Sequence, residues 1–207
     1  MGADMAIAAI ILAAGRSSRM SAHKLLLPLG GKPLLAWSVA AACASDAQPV
    51  IVALGRSAGE VAAALPPGRY TTVVNPHYAE GMGTTLALAV SQLPADIAGT
   101  VVLLGDQPFM PTSAIQAVLA AARAQPEVIA MGAGAGQRGH PVYLPRRVFA
   151  RVQALTADEG ARSIVADERD NLTIIPISDE RAFFDVDTLE DYQRAQSLVQ
   201  SSGNIPA

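Results

Sequence analysis

The chain has 207 residues, 51% of them apolar, a length that suits one α/β domain able to bury a core without staples. Its 15 basic side chains against 18 acidic ones leave a net charge of −3, which excludes a nucleic-acid arm and a polybasic membrane surface. A single cysteine, Cys43, excludes an intrachain disulfide and a cysteine-built zinc site, and no apolar run approaches the ~20 residues of a membrane span. The stretch from Met5 to Ala14 follows Asp4 rather than a basic segment, so it is read as a buried strand and not as a secretory signal. A cytoplasmic protein is the expectation.

Short runs rich in Val, Ile and Leu predict strands near 6–13, 49–54, 71–75, 100–104, 127–131, 141–144 and 172–177. Amphipathic or Ala-rich stretches between them predict helices over 33–45, 57–65, 83–93, 111–124, 145–154, 159–168 and 188–200. This alternation implies βαβ units and a mainly parallel sheet in a three-layer α/β/α, Rossmann-like fold. Several runs are apolar without alternation, as strands covered on both faces require. One domain over 1–200 is expected, with a flexible tail over 201–207.

In such sheets ligands sit beyond the carboxyl ends of the strands. The loop after the first strand reads LAAGRSSRM. Gly15 allows a tight turn that offers N–H groups to an anion, while Arg19 and Lys24 supply a fork and a point charge for phosphate oxygens. It is not a Walker A loop, because Gly31-Lys32 is followed by Pro33 and lacks the earlier glycine. An isolated basic loop is usually only solvated charge. Here the preceding strand tips the reading, as does the scarcity of lysine: the chain has 13 arginines and only two lysines, Lys24 and Lys32.

Asp106 closes the strand TVVLLGD, five residues before Pro111 and too far from the next helix to cap it, so it is read as a Mg²⁺ ligand. Asp185 and Asp187 in FFDVDTLED share one face of an extended backbone. Asp187 taken alone is better explained as a helix N-cap; two carboxylates converging on one ion would favour a metal site. Gly134-x-Gly136-x-x-Gly139 matches the dinucleotide fingerprint in letters only, since HPVYLP follows where a helix is required. His140 is equally well a structural histidine or a pocket residue. Cys43 is read as a small buried apolar side chain, His23 and His77 have no zinc spacing, and there is no GxSxG elbow.

Taken together, LAAGRSSRM, KLLLPLGGKPLL, NPHYAEGMGTTL, VVLLGDQP, RGHPVYL, DEGAR and DVDTLEDY, in this order over residues 10–192, resemble the MobA-like nucleotidyltransferases. Within that group the LAAG, KLLLP, GHP and DEGAR segments are most similar to the molybdenum cofactor cytidylyltransferases. The resemblance implies transfer of CMP from CTP, or a nucleotide from another triphosphate, to the terminal phosphate of a molybdopterin-type cofactor, with loss of pyrophosphate. It implies catalytic roles for Lys24, Arg19 and Asp106, and a Mg²⁺ held by Asp106 and Asp187. Nucleotide contacts would come from Leu12, Ala13, Ala14, Gly15, Arg16, Ser17 and Lys24, with Asn75, Gly81, Met82 and Thr84. Gln107, Pro108, Gly139, His140 and Pro141 would meet the acceptor. Where the family often has Gly after Arg-Met, this chain has Ser21. Implied partners are the triphosphate, the cofactor and a molybdoenzyme client, with neither nucleic acid nor membrane. Guanylyl transfer, another phosphorylated acceptor, and a non-catalytic cofactor carrier stay open as alternatives.

Overall fold

In the computed structural model, which describes residues 5–15, 23–134, 136–156 and 160–202, every residue of strand β1 (Ile7–Ala13) is buried. Ile7, Ala9, Ile11 and Ala13 face one apolar cluster, while Ala8, Ile10 and Leu12 face a second. That explains the unbroken apolar run: with helices on both faces, each fully buried isoleucine contributes about 1.5–3 kcal/mol.

Strands β4 (Val50–Leu54) and β5 (Thr71–Val74) extend the sheet on one side of β1, and β6 (Gly99–Leu104) pairs with its other side. These pairings are all parallel. Beyond β6 come β8 (Gln137–Pro145), β7 (Ile129–Gly134) and β9 (Leu172–Pro176), completing a seven-stranded sheet in the order β5-β4-β1-β6-β8-β7-β9. Strand β8 runs antiparallel to both its neighbours. It extends over Gln137–Pro145, longer than the 141–144 expected, because the Gly-rich segment folds back as a hairpin on β7. A short antiparallel pair, β2 (Pro28–Leu29) with β3 (Lys32–Pro33), has no hydropathy signature and was not anticipated.

Helices α1 (Leu34–Ala44), α2 (Ala58–Ala64), α4 (Thr112–Ala124) and α7 (Leu189–Ser202) pack on one face of the sheet. Helices α3 (Met82–Ser91), α5 (Phe149–Gln153) and α6 (Arg162–Asp167) cover the other. The result is the three-layer, Rossmann-like arrangement with a mainly parallel sheet. Helix α7 runs through Ser202, past the boundary expected at residue 200. No helix among the described residues is long and apolar enough to cross a membrane.

The chain leaves β1 toward β4 on one side and returns on the other side at β6, so the strand order reverses between β1 and β6. A crevice opens at the carboxyl ends of strands on either side of such a reversal. Gly15 follows β1 and Asp106 follows β6.

Candidate functional site

Lys24 begins a single 3₁₀ turn and is only 8% exposed. Its Nζ donates to Asp106 Oδ2 at 2.7 Å and to Asp187 Oδ1 at 2.7 Å. Burial works against the ammonium, but the charges of both carboxylates and the hydrogen bonds to them outweigh it and hold the pKa above the usual lysine value. The second lysine, Lys32, lies elsewhere, its ammonium 3.5 Å from the centre of the Trp37 ring.

Local structure explains how residues so far apart meet. Gly105 donates its N–H to Leu12 O at 2.9 Å, and a Cβ there would come within 2.8 Å of Leu35 Cδ1. That Cβ would also press on Ala13 Cβ and Leu12 O of β1 at 3.2 Å, so glycine eases the close pass of β6 along β1 that delivers Asp106 to the crevice. The Asp106 carbonyl then accepts the Val186 N–H at 3.0 Å, and Gln107 Nε2 donates to Asp185 Oδ1 at 2.9 Å. These two bonds lace the second acidic segment to the first.

Asp187 does not cap α7, as it would be expected to if taken alone. The cap is Thr188: the Asp191 carboxylate accepts from the Thr188 N–H and hydroxyl, while Thr188 Oγ1 accepts the Asp191 N–H at 3.1 Å. This reciprocal capping box leaves the Asp187 carboxylate to meet Lys24. The spacing Thr188-x-x-Asp191 was the sequence signal for it.

Two hard-oxygen ligands converging on one cation suit Mg²⁺ or Mn²⁺. Asp106 and Asp187 are the residues that could hold such an ion, in the place the Lys24 ammonium occupies. No group of three or more His, Cys, Asp or Glu side chains suited to a metal exists among the described residues, so phosphate oxygens and water would complete the shell.

Two cavities adjoin this centre. The first, of about 360 Å³, is lined by Leu12, Ala14, Gly15, Gly81, Met82 and Asp106, all singled out from the sequence. Tyr78, in the NPHYAEGMG segment of the resemblance, also lines it, as does Thr85, which was not foreseen. Ala13 faces the opposite way, into the core beneath α1, because side chains alternate along β1. Asn75, only 2% exposed, donates to Thr84 Oγ1 and Thr85 Oγ1 and accepts the His77 N–H. Asn75 and Thr84 thus brace the segment before α3, where Gly81 adopts φ 131°, and neither lines the cavity. Arg16, Ser17 and Arg19 lie outside the described residues.

The second cavity, of about 520 Å³, is lined by Gln107, Gly139 and His140, three of the residues singled out from the sequence, and also by Arg138, Arg162 and Asp185. Leu12, Met82 and Leu104 line both cavities. Pro108 and Pro141 are buried and line neither. His140 Nδ1 lies 3.1 Å from the Val102 carbonyl, and burial pulls the imidazole pKa down. Burial, with the charge of Asp106, raises the Asp185 carboxyl. Arg138 belongs to the RGHP segment of the resemblance and lies two residues from His140 on β8, whereas Arg162 was missed because no spacing rule marks a lone arginine brought to the cavity by α6.

Residues 9–172 match the model of the MobA-like NTP transferase domain family. The chain is 30% identical over 201 residues to the purine catabolism protein PucB of Bacillus subtilis, covering 92% of this chain and 96% of that protein. The crystal structure of Rv0371c from Mycobacterium tuberculosis superposes with a TM-score of 0.83 at 28% identity, covering 93% of this chain and 98% of that one. A manganese complex of the same protein superposes at 0.77 with 25% identity, covering the same shares of the two chains. A nucleotidyl transferase from Methanothermobacter thermautotroptrophicus, at 22% identity and a TM-score of 0.80 over 97% of this chain and all of that one, shares the fold.

Proposed function

Because the chain belongs to the MobA-like NTP transferase family and is a nucleotidyltransferase, we propose that it transfers CMP from CTP to the terminal phosphate of a molybdopterin-type cofactor. The observation that carries this reading is the pair of adjoining cavities meeting at one acidic centre. Asp106 lines the first, Asp185 and Gln107 line the second, and Leu12, Met82 and Leu104 form their common wall. A nucleotide in the first and an acceptor in the second bring two phosphates together beside Asp106 and Lys24.

An acceptor phosphate oxygen attacks the α-phosphorus of CTP, forming the new P–O–P linkage as the bond to pyrophosphate breaks. Both reactants are anionic, so the barrier is dominated by their repulsion and by charge developing on the leaving group. The Lys24 ammonium sits where it can turn from the carboxylates to the phosphate charge. Gly15 leaves the backbone open to the triphosphate, since a Cβ there would meet none of the described residues within 4 Å. When bound between Asp106 and Asp187, a divalent cation, Mg²⁺ in this reading, supplies neutralisation of the triphosphate charge. The manganese complex of Rv0371c supports an ion of that class. No side-chain nucleophile is required, since positioning and electrostatics supply the catalysis.

The test is pyrophosphate release by the Mg²⁺-supplied protein, with CTP, GTP, UTP and ATP compared in the presence and absence of molybdopterin. Release with CTP that requires the cofactor supports the assignment. Release with GTP instead would make it a guanylyltransferase, and cofactor binding without release would make it a carrier.

A further inference from the structure

The second cavity holds a side chain that the transfer chemistry leaves unused. His140 sits on β8 beneath α6, with Nδ1 3.1 Å from the Val102 carbonyl. A carbonyl oxygen only accepts, so the ring proton resides on Nδ1 and Nε2 carries the lone pair. Nε2 has no hydrogen-bond partner among the described residues, nor is it one of the buried polar atoms left without a partner. It therefore opens onto the cavity that the ring lines. Burial pulls the imidazole pKa down and the Arg162 charge adds to this, against the hydrogen bond to Val102 and the charge of Asp106.

The rest of the cavity narrows the occupant. Leu86, Met131, Val142 and Phe183 give the cavity an apolar wall, with the Phe183 ring available to stack on a planar ligand. Arg138 and Arg162 line the same cavity, and neither forms an ion pair with a described residue. Two unengaged guanidinium forks on an apolar pocket suit an anionic substituent.

We propose that His140 is a specificity-determining hydrogen-bond acceptor for a ring N–H of the acceptor substrate, a flat nitrogen heterocycle whose anionic substituent is held by Arg138 and Arg162. This rests on the acceptor assignment of the second cavity made above and adds the atom that reads the ring. A heterocycle with no N–H leaves Nε2 desolvated and unpaired, so it is rejected rather than merely bound without gain.

The probes are lumazine, which carries ring N–H groups, and 1,3-dimethyllumazine, which has none, titrated calorimetrically into the whole protein. The wild type binds lumazine at least ~10-fold more tightly, the worth of one buried hydrogen bond left unmade. His140→Phe keeps the ring shape and brings the ratio close to one, His140→Gln restores part of the preference, and CTP affinity is the same in all three. Arg162→Ala removes the preference for pterin-6-carboxylate over pterin. A wild type that does not discriminate, or a preference that survives in His140→Phe, overturns the role of His140 and leaves the molybdopterin assignment standing. A wild type that binds no pteridine overturns that assignment instead. The role of His140 then stands if His140→Phe raises KM for another phosphorylated heterocycle at unchanged kcat and CTP KM, and falls if it does not.

Discussion

The Lys24 ammonium lies 2.7 Å from the Asp187 carboxylate across 163 residues of chain. Asp106, at the same distance from the same nitrogen, completes a bridge of two anions and one cation at the point where the strand order reverses. The bridge keeps two carboxylates together that would otherwise repel, and it puts the ammonium where a divalent ion would lie.

If a divalent ion is held as proposed, Lys24 and that ion compete for the same oxygens. In Lys24→Met the carboxylates lose their counter-charge and gain affinity for a divalent ion. Mn²⁺ binding without nucleotide, followed by electron paramagnetic resonance, is expected to tighten, while kcat falls ~10²–10³-fold. Weaker Mn²⁺ binding in the variant would show that Lys24 supports the ion instead of displacing it.

Thr188 and Asp187 are neighbours with separate tasks. Thr188→Ala breaks the capping box of α7 and is expected to cost about 1 kcal/mol in urea denaturation, with kcat within about twofold of wild type. Asp187→Asn keeps its shape and the melting temperature but removes the charge facing Lys24, so turnover falls ~10²-fold or more. Equal effects of the two substitutions on both measurements would contradict this division.

A glycine prediction separates folding from binding. A Cβ at Gly134 would lie 2.5 Å from the Ile177 carbonyl oxygen and 2.8 Å from Phe183, so Gly134→Ala should destabilise by about 1–3 kcal/mol. The same substitution at Gly15 meets none of the described residues and should leave the unfolding midpoint unchanged while raising KM for the nucleotide. Thermal melts and nucleotide kinetics check the pair.

Glu168 ties α5 to the segment after α6 by accepting from Arg147 at 2.7 Å and from Arg151 at 2.9 Å. Arg147, chiefly through its hydrogen bond, holds the Glu168 carboxyl below the usual 4.5. Its contribution to stability is therefore complete above pH 4.5 and disappears as pH falls through the lower folded value. Urea midpoints measured from pH 7 to pH 3 should fall less steeply below pH 4.5 in Glu168→Gln than in wild type.

The strands were legible because burial on both faces makes each an apolar run, and β1 is the plainest example. Asp106 was legible because it ends such a run at the edge of the crevice. Strand β8 was underestimated, since Gln137 to Gly139 pair with β7 through their backbone and carry no apolar signal. Asp187 was ambiguous until the Thr188–Asp191 exchange showed which side chain caps the helix.

By itself the sequence determined the alternation of strands and helices, the Gly- and Arg-bearing composition of the segment after β1, and the motif order that placed the chain among the MobA-like transferases. These are local properties, set by hydropathy period, glycine and charge within a few residues. Tertiary structure alone decided that Lys24 pairs with Asp106 and Asp187, and that Arg162 shares a cavity with His140. The first depends on the sheet's strand order and on the Val186–Asp106 backbone bond, the second on α6 lying beside β8, and both join segments that no spacing along the chain relates.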